Sequence, residues 1–498
     1  MCLVLIRYVV TTVMLVILSV TARADDVIRA SCFSGWDSET RARWSSDVDY
    51  AKRAWDAGST YRQLVVLVSF DDCDFSWEDP QATYHEMFNT PGYNLRDGKG
   101  CVADYFCDQS NGLLNLAFDV YGPYKTHSKV KTGSSDGNDG HGAFREATRM
   151  LMDEHPEIDF SVYDWNGDGY VEQVVYVYAG YSGNQSTIKD EGYIWPSTGS
   201  FSSISTKDGY QISHYSASGE LWVNNSSCGI GLICHEFSHC FGLPDVYPTS
   251  ARVSDFSIVD EWDVMDGGTA TNYGWCPPNY SPLEKMIMGW LTPTELTTDT
   301  TITDIKTIAE GGEVYMIRHT DDEFFLLENR QWNGWDYGLP GYGLVVYHVN
   351  FISDLWQSNV VNNVQGKPSY SLVAADGRTY TDWFDEILAS EVKNPYVDTK
   401  RRLNSRILST APYPWQQDDN CVDEVTLFDD KSLCDITQHE DGTVSFTFHA
   451  SGSDISHVKN ETKAAGVYTL SGVKVRDDGQ TEGLPQGVYI ANGCKIIH

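Results

Sequence analysis

The chain has 498 residues, 41% of them apolar, which is enough for a large core and two to four domains and excludes a disordered chain. Thirty-five Lys and Arg stand against 70 Asp and Glu, a formal net charge of −35. A surface of that sign repels nucleic acid and anionic lipid, and both are excluded as partners.

Residues 1–24 have the form of a secretory signal peptide. Arg7 precedes an apolar run, Tyr8–Val20, too short for a membrane span, and Ala22-Arg23-Ala24 gives a small-x-small cleavage pattern. The mature chain is expected to begin near Asp25, and no later stretch is long and apolar enough to cross a bilayer. Cys2 leaves with the signal, so eleven of the 12 cysteines enter a compartment that permits disulfides. Cys101 with Cys107 and Cys421 with Cys434 are candidate local pairs, and the odd count leaves at least one thiol over. Residues 25–59 carry Asp, Ser, Arg and Trp without periodicity.

Leu64–Phe70 is a β-branched apolar run and reads as a buried strand. Asp79–Phe88 and Val102–Phe106 read as helices, and Leu113–Val120 alternates as a strand. Ala143–His155 is a helix with Phe144, Ala147, Leu151 and Met152 on one side. Asp164-Trp165-Asn166-Gly167-Asp168-Gly169-Tyr170-Val171-Glu172 places oxygens as the first part of an EF-hand-type loop does, with Asp164, Asn166, Asp168, Tyr170 and Glu172 as candidate calcium ligands. Val175 stands where the bidentate glutamate of a full loop belongs, and Gln173–Ala179 reads as a strand. Two readings stay open for this loop: a calcium-binding turn and an Asx/Gly turn with no ion. Tyr193–Pro196 and Tyr210–Ser213 are candidate strands in a polar stretch.

Gly231–Asp245, GLICHEFSHCFGLPD, carries the chemistry. On a helix, His235 and His239 lie one turn apart on one face, and both imidazoles can hold one zinc ion. Glu236 lies beside them as a general base for the attacking water. Asn225, Ser226 and Ser227 offer N-cap oxygens, and Ile230, Cys234, Phe237 and Phe241 give a buried stripe. Gly242 stands where a left-handed residue ends a helix, and Leu243-Pro244 forces an extended path that can return Asp245 as third ligand. A fourth position then stays open, as catalysis requires. Glu261, at the spacing used by thermolysin-like enzymes, is a rival third ligand. Beyond Thr300 short strands follow at Val314–His319, Phe324–Asn329 and Gly343–Val349, with His348 read as a strand histidine.

HEFSHCFGLPD resembles the HExxHxxGxxD motif of the M6, immune inhibitor A-like, metallopeptidases, relatives of the metzincins. Trp262–Gly268 resembles the family's Met-turn, in which Met265 would support the ligand histidines. Pro277–Pro282, Met288–Leu291 and Phe325–Arg330 are similar to further family patterns, in the family's order over roughly residues 60–350. Ser238 departs from the glycine usual there. The resemblance implies that an edge strand before the active-site helix binds extended substrate. Two readings stay open for residues 25–59: a short pro-segment, in which Cys32 can block the open metal position, and an N-terminal tail that packs on the domain. The segment 465–498 resembles the small C-terminal sorting module of secreted Bacteroidetes proteins, and its Ser-Gly and Asn-Gly turns predict a compact β-unit.

The expected architecture is an α+β metzincin-like zinc protease domain (60–299), a β-sandwich-like domain (300–450), a linker (451–464) and a small C-terminal β-module (465–498). The expected protein is a secreted or surface-held bacterial zinc endopeptidase, a monomer acting on proteins or peptides. The competing readings are an inactive adhesin or carbohydrate-binding protein on a protease-like domain and a zinc hydrolase of another bond.

Overall fold

The computed structural model describes residues 56–131, 139–185, 188, 191–222, 224–249, 259–364, 368–375, 412–417, 420–428, 431–450 and the strands 467–469, 474–476, 488–491 and 494–497. The signal peptide, Cys32 and nearly all of the expected pro-segment, and the expected linker lie outside these residues.

The first layer is a five-stranded sheet: β1 (Thr60–Ser69), β2 (Asn115–Lys125), β3 (Val174–Tyr181), β4 (Ser197–Ser205) and β5 (Gln211–Leu221), in the order β2-β1-β3-β5-β4. All neighbours are parallel except β4, which runs antiparallel to β5 at the rim. The β1 core LVVLVS is buried residue by residue because both faces are covered, the pattern of a parallel sheet between helices. Val65, Leu67, Val175 and Val177 face α1 (Pro80–Asn89), α2 (Val102–Gln109) and α4 (Gly231–Ser238). Leu64, Val66, Tyr176 and Tyr178 face α3 (His141–Glu154), where Phe144 stacks on Tyr176 at 4.5 Å.

The helices start where the sequence offers caps. Asp79 accepts the Ala82 N–H with Pro80 at the first helical position. Cys101 caps α2 through its sulfur, which accepts the Asp104 N–H, while the Asp104 carboxylate accepts the Cys101 N–H at 3.0 Å. Cys101, Cys107 and Cys434 are free thiols, so neither expected local disulfide forms. Cys101 is turned inward as a cap, and the Cys107 sulfur faces Asn115 instead.

Tyr193–Pro196 is not a strand; the edge strand is β4, four residues later and made largely of serine and glycine. Its propensity is poor, and pairing with β5 overrides it.

After α5 (Pro282–Ile287) the chain builds two more sheets. One contains β6 (Thr294–Glu295), β8 (Tyr315–Arg318), β9 (Glu323–Arg330), β10 (Gly343–Asn350) and β11 (Tyr370–Leu372), in the order β11-β10-β9-β8-β6. The other contains β7 (Thr300–Ile305), β14 (Val425–Phe428), β15 (Lys431–Gln438) and β16 (Val444–His449), in the order β14-β15-β16-β7. Ile317, Leu327, Leu344 and Val346 meet Ile305, Leu433, Val444 and Phe446 between them. The other face of the first of these sheets, through Met316, Leu326, Val345 and Tyr347, joins the apolar cluster of α1, α2 and α4. A short hairpin, β12 (Trp415–Gln417) with β13 (Asn420–Val422), and α6 (Ser353–Gln357) complete this part.

The stretch 451–498 forms its own compact unit. Its strands are β17 (Val467–Thr469), β18 (Lys474–Arg476), β19 (Val488–Ala491) and β20 (Cys494–Ile497), an antiparallel sheet in the order β18-β17-β19-β20. No helix among the described residues is long and apolar enough to cross a membrane.

Candidate metal centre

Every residue of α4 is buried. Ile230, Cys234, Phe237 and Phe241 pack into the core as their spacing predicts. Phe237 lies 4.9 Å from Phe106 and 5.7 Å from Phe118, ring to ring. The expected N-cap at Asn225–Ser227 is not used: the helix starts at Gly231 with Ile230 as its cap and no side-chain cap bond. Packing takes that role. A Cβ on Gly231 would come 2.2 Å from the Thr269 carbonyl oxygen, so glycine lets the Gly267–Gly274 turn press against the helix start. The helix ends in a 3-10 turn, His239–Phe241, and Gly242 follows at φ 88 in the left-handed region, as the sequence predicts.

That turn returns Asp245 to the two imidazoles. His235 Nε2 lies 3.2 Å and His239 Nε2 3.4 Å from Asp245 Oδ1, with all three side chains buried. Among the described residues, this is the set of His, Cys, Asp and Glu whose donor atoms converge to within 4.8 Å of one another. The donors are aimed by their second atoms. His235 Nδ1 donates to the Val264 carbonyl at 2.7 Å, and His239 Nδ1 donates to the Leu243 carbonyl at 2.7 Å. Each bond fixes a tautomer whose Nε2 lone pair points at the common centre, the arrangement expected of imidazole ligands. Two imidazole nitrogens and one carboxylate oxygen suit zinc with an open position. Burial works against charge here, yet the Asp245 carboxylate lifts His235 to about 9. Burial would likewise raise Asp245, but the two imidazoles outweigh it and hold its carboxyl well below the usual range.

Glu236 is 1% exposed on the same helix. The Thr198 hydroxyl reaches it from edge strand β4, 2.6 Å from its backbone carbonyl and 3.1 Å from Oε2. The hydroxyl has one proton, and the shorter contact gives it to the backbone carbonyl, so Glu236 is tied to the sheet rim through its backbone.

The Trp262–Gly268 turn closes on itself through Asp263, which accepts the Met265 N–H at 2.8 Å, while the Asp263 carbonyl accepts the N–H of Gly268 at 2.9 Å. It touches the ligands twice: Val264 holds His235, and the Met265 carbonyl accepts the Val246 N–H at 3.1 Å, next to Asp245. Met265 is fully buried. Beneath the turn, Asp263 faces Glu284 of α5. Burial and then their mutual charge push Glu284 well above the carboxylate range, and burial raises Asp263. One oxygen of each carboxyl, Asp263 Oδ2 and Glu284 Oε1, has no hydrogen-bond partner. A shared proton makes this pair tolerable. Burial also lifts Asp266 to about 7.

Two of the three further family-like segments, Pro277–Pro282 and Phe325–Arg330, form one buried network. Arg330 clamps Asp336 through Nε at 2.8 Å and Nη2 at 2.6 Å, and its Nη1 donates to Glu328 at 3.0 Å. Asp336 accepts the Asn279 N–H at 2.9 Å, so Phe325–Arg330 anchors Pro277–Pro282. Tyr280 in that segment meets the Ser238 hydroxyl, which also donates to the Cys234 carbonyl at 2.6 Å. Ser238, the departure from glycine, thus joins the ligand helix to the Pro-rich segment.

The Asp164 loop is held from within. The Asp164 carboxylate accepts the N–H groups of Gly167, Asp168 and Gly169 at 2.8, 3.1 and 2.9 Å. Asn166 Oδ1 accepts the Asp168 N–H, and Asp168 Oδ1 accepts the Tyr170 N–H, each at 2.9 Å. Asp164, Asp168 and Glu172 do not form a convergent set like that at the histidines. Glu261 is not part of the convergent set either, and burial raises its carboxyl to about 8. His348 stacks on Phe325 at 4.7 Å and meets Glu323 at 3.0 Å, as a strand histidine.

Sequence reasoning missed Thr198 and the carbonyls of Val264 and Leu243. No local pattern marks them, because a hydroxyl in a serine-rich strand and two backbone carbonyls carry no chemistry of their own.

Residues 72–287 match the family described as "Immune inhibitor A peptidase M6, catalytic domain". The chain is also similar to "Immune inhibitor A" of Bacillus thuringiensis subsp. alesti, 23% identical over 266 residues. That match covers 45% of this chain and 38% of the relative, so it spans well under half the length of either protein. The matched family segment contains α4, the Trp262–Gly268 turn and α5; it stops short of Phe325–Arg330.

Proposed function

Taking the M6 catalytic-domain likeness of residues 72–287 as premise, we propose that the protein is a secreted zinc metalloendopeptidase. The observation that carries this reading is the buried convergence of His235, His239 and Asp245 with Glu236 alongside.

In this reading His235, His239 and Asp245 hold the ion, which when bound supplies a Lewis acid for the scissile carbonyl and for water. Glu236 takes a proton from the attacking water and passes it to the leaving amine. Thr198 keeps Glu236 at the sheet rim through its backbone. Among the described residues the rim strand β4 pairs with β5 on one side only, and an extended peptide adds antiparallel to its other edge. The hydrogen bonds of such a strand are made by backbone, which suits an enzyme acting on many sequences.

The test is cleavage of denatured casein by the full chain and by Glu236→Ala, with zinc content measured on both. We expect the parent to cleave, a zinc chelator to stop it, and the variant to lose about 10²–10⁴-fold in kcat while still holding zinc. Cleavage that survives both the chelator and the substitution overturns the proposal.

A further inference from the structure

The third ligand is not held by the ligand helix alone. Asn359, 114 residues further along the chain and 3% exposed, grips it at two points. Asn359 Nδ2 donates to Asp245 Oδ2 at 2.7 Å, and the Asp245 N–H donates to Asn359 Oδ1 at 2.6 Å. Its neighbours hold the residues that follow. Asn362 Nδ2 donates to the Val246 carbonyl at 2.6 Å, and Asn363 Nδ2 donates to Thr249 Oγ1 at 2.8 Å. Thr249 Oγ1 donates in turn to the Asn359 carbonyl at 3.0 Å.

A carboxylate offers two oxygens that exchange by rotation of its terminal bond. Here Oδ1 faces both imidazoles while Oδ2 takes the amide donor, so the rotation is fixed before any ion arrives. The reciprocal bond from the Asp245 N–H orients the amide, since its oxygen faces the N–H and its NH₂ the carboxylate. Asn359 has φ 55, a left-handed conformation that strains most side chains and that, glycine aside, asparagine accepts best. Such a conformation persists where surrounding contacts over-determine it.

We infer that Asn359 is the positioning residue for the third metal ligand, so that a segment beyond the matched residues 72–287 belongs to the metal centre. The inference rests on the zinc reading above. A ligand carboxylate held by a second hydrogen bond commonly loses metal affinity by about 10–100-fold when its partner is removed.

The experiment uses the full chain and compares Asn359→Gly with Asn363→Ala. Glycine keeps the left-handed backbone and removes only the amide; Asn363→Ala loosens the same loop at Thr249 without touching Asp245. Zinc affinity is read by competition with a chromophoric chelator, ligand geometry by the visible spectrum of the cobalt(II) form, and folding by the Tm of metal-free protein. For Asn359→Gly we expect zinc affinity about 10–100-fold weaker and a changed cobalt spectrum, with Asn363→Ala close to the parent in both. Unchanged affinity and spectrum in Asn359→Gly overturn the inference, and so does an equal loss in Asn363→Ala. Should Asn359→Gly fail to fold, Asn359→Ser keeps a polar side chain too short to reach Asp245 Oδ2, and the same loss is expected. A parent that binds no zinc sinks the metal reading itself, whatever the variants do.

Discussion

Two stretches of this chain carry carboxylates at spacings that suit a metal, and the fold treats them in opposite ways. Around Asp164 the loop turns its oxygens inward on its own N–H groups, at the surface, within six residues. Around His235 the donors come from two segments, are buried, and have their second atoms engaged by a third and a fourth segment, at Val264 and Asn359. What separates them is where the second hydrogen bonds go. In the loop those bonds close a turn. At the histidines they aim the Nε2 atoms and the Asp245 carboxylate at one place.

The sharpest way to break that contrast is to remove one carboxylate from each. Asp245→Ala should abolish zinc binding, whereas Glu261→Ala should retain it, both read by metal content after dialysis; the reverse pattern would give the third-ligand role to Glu261. Asp164→Ala should leave zinc content unchanged and lower unfolding free energy by about 1–3 kcal/mol, because three N–H groups lose one acceptor. Calcium that raises the parent's Tm, and not that of Asp164→Ala, would put an ion in the loop; no calcium effect leaves it an Asx turn.

Next in size is the effect at Glu236, the proposed general base. Thr198→Val removes the hydroxyl between β4 and the Glu236 backbone carbonyl, and kcat should fall by about 2–10-fold, since one neutral hydrogen bond is worth about 0.5–1.5 kcal/mol. Thr198→Ser should restore it. Equal activity in Thr198→Val would make the contact only structural.

The smallest effect is set by pH. Asp266 is raised to about 7, and Asp263 and Glu284 are raised by burial as well. A carboxyl raised in the folded state favours folding below its unfolded pKa, and that contribution is lost as pH climbs through the folded value. The Tm of the metal-free chain should therefore fall as pH rises through about 7, where Asp266 loses its proton. Glu284→Gln, which keeps a neutral side chain against Asp263, should flatten the slope. A Tm that rises over this range would refute the raised Asp266 carboxyl.

Much of the centre was legible because it is local. Two histidines one turn apart, a glycine stop and an aspartate after Leu-Pro lie within eleven residues, and each follows from helix geometry or a backbone conformation. The strands β1, β3, β9 and β10 were legible too, since short β-branched or aromatic-rich apolar runs bounded by turn residues mark buried strands. β4 was not, because Ser197–Ser205 has little apolar side chain to mark it and owes its pairing to β5. The helix start was misplaced because the rule for caps looks for a polar side chain, and here a neighbouring turn packs against bare backbone at Gly231. Asn359 and Thr198 lay beyond reach for a different reason: their partners are distant in sequence, and neither residue type announces a role by itself.

The apolar cluster that runs from α1, α2 and α4 into β8, β9 and β10 has a practical meaning for anyone trimming this chain. A piece cut at residue 287, where the family likeness ends, would lay bare the side of the core now covered by Met316, Leu326, Val345 and Tyr347. Sticky and short of its asparagine clasp, such a fragment should collect in inclusion bodies, while a piece running on to Ala450 keeps that seam sealed.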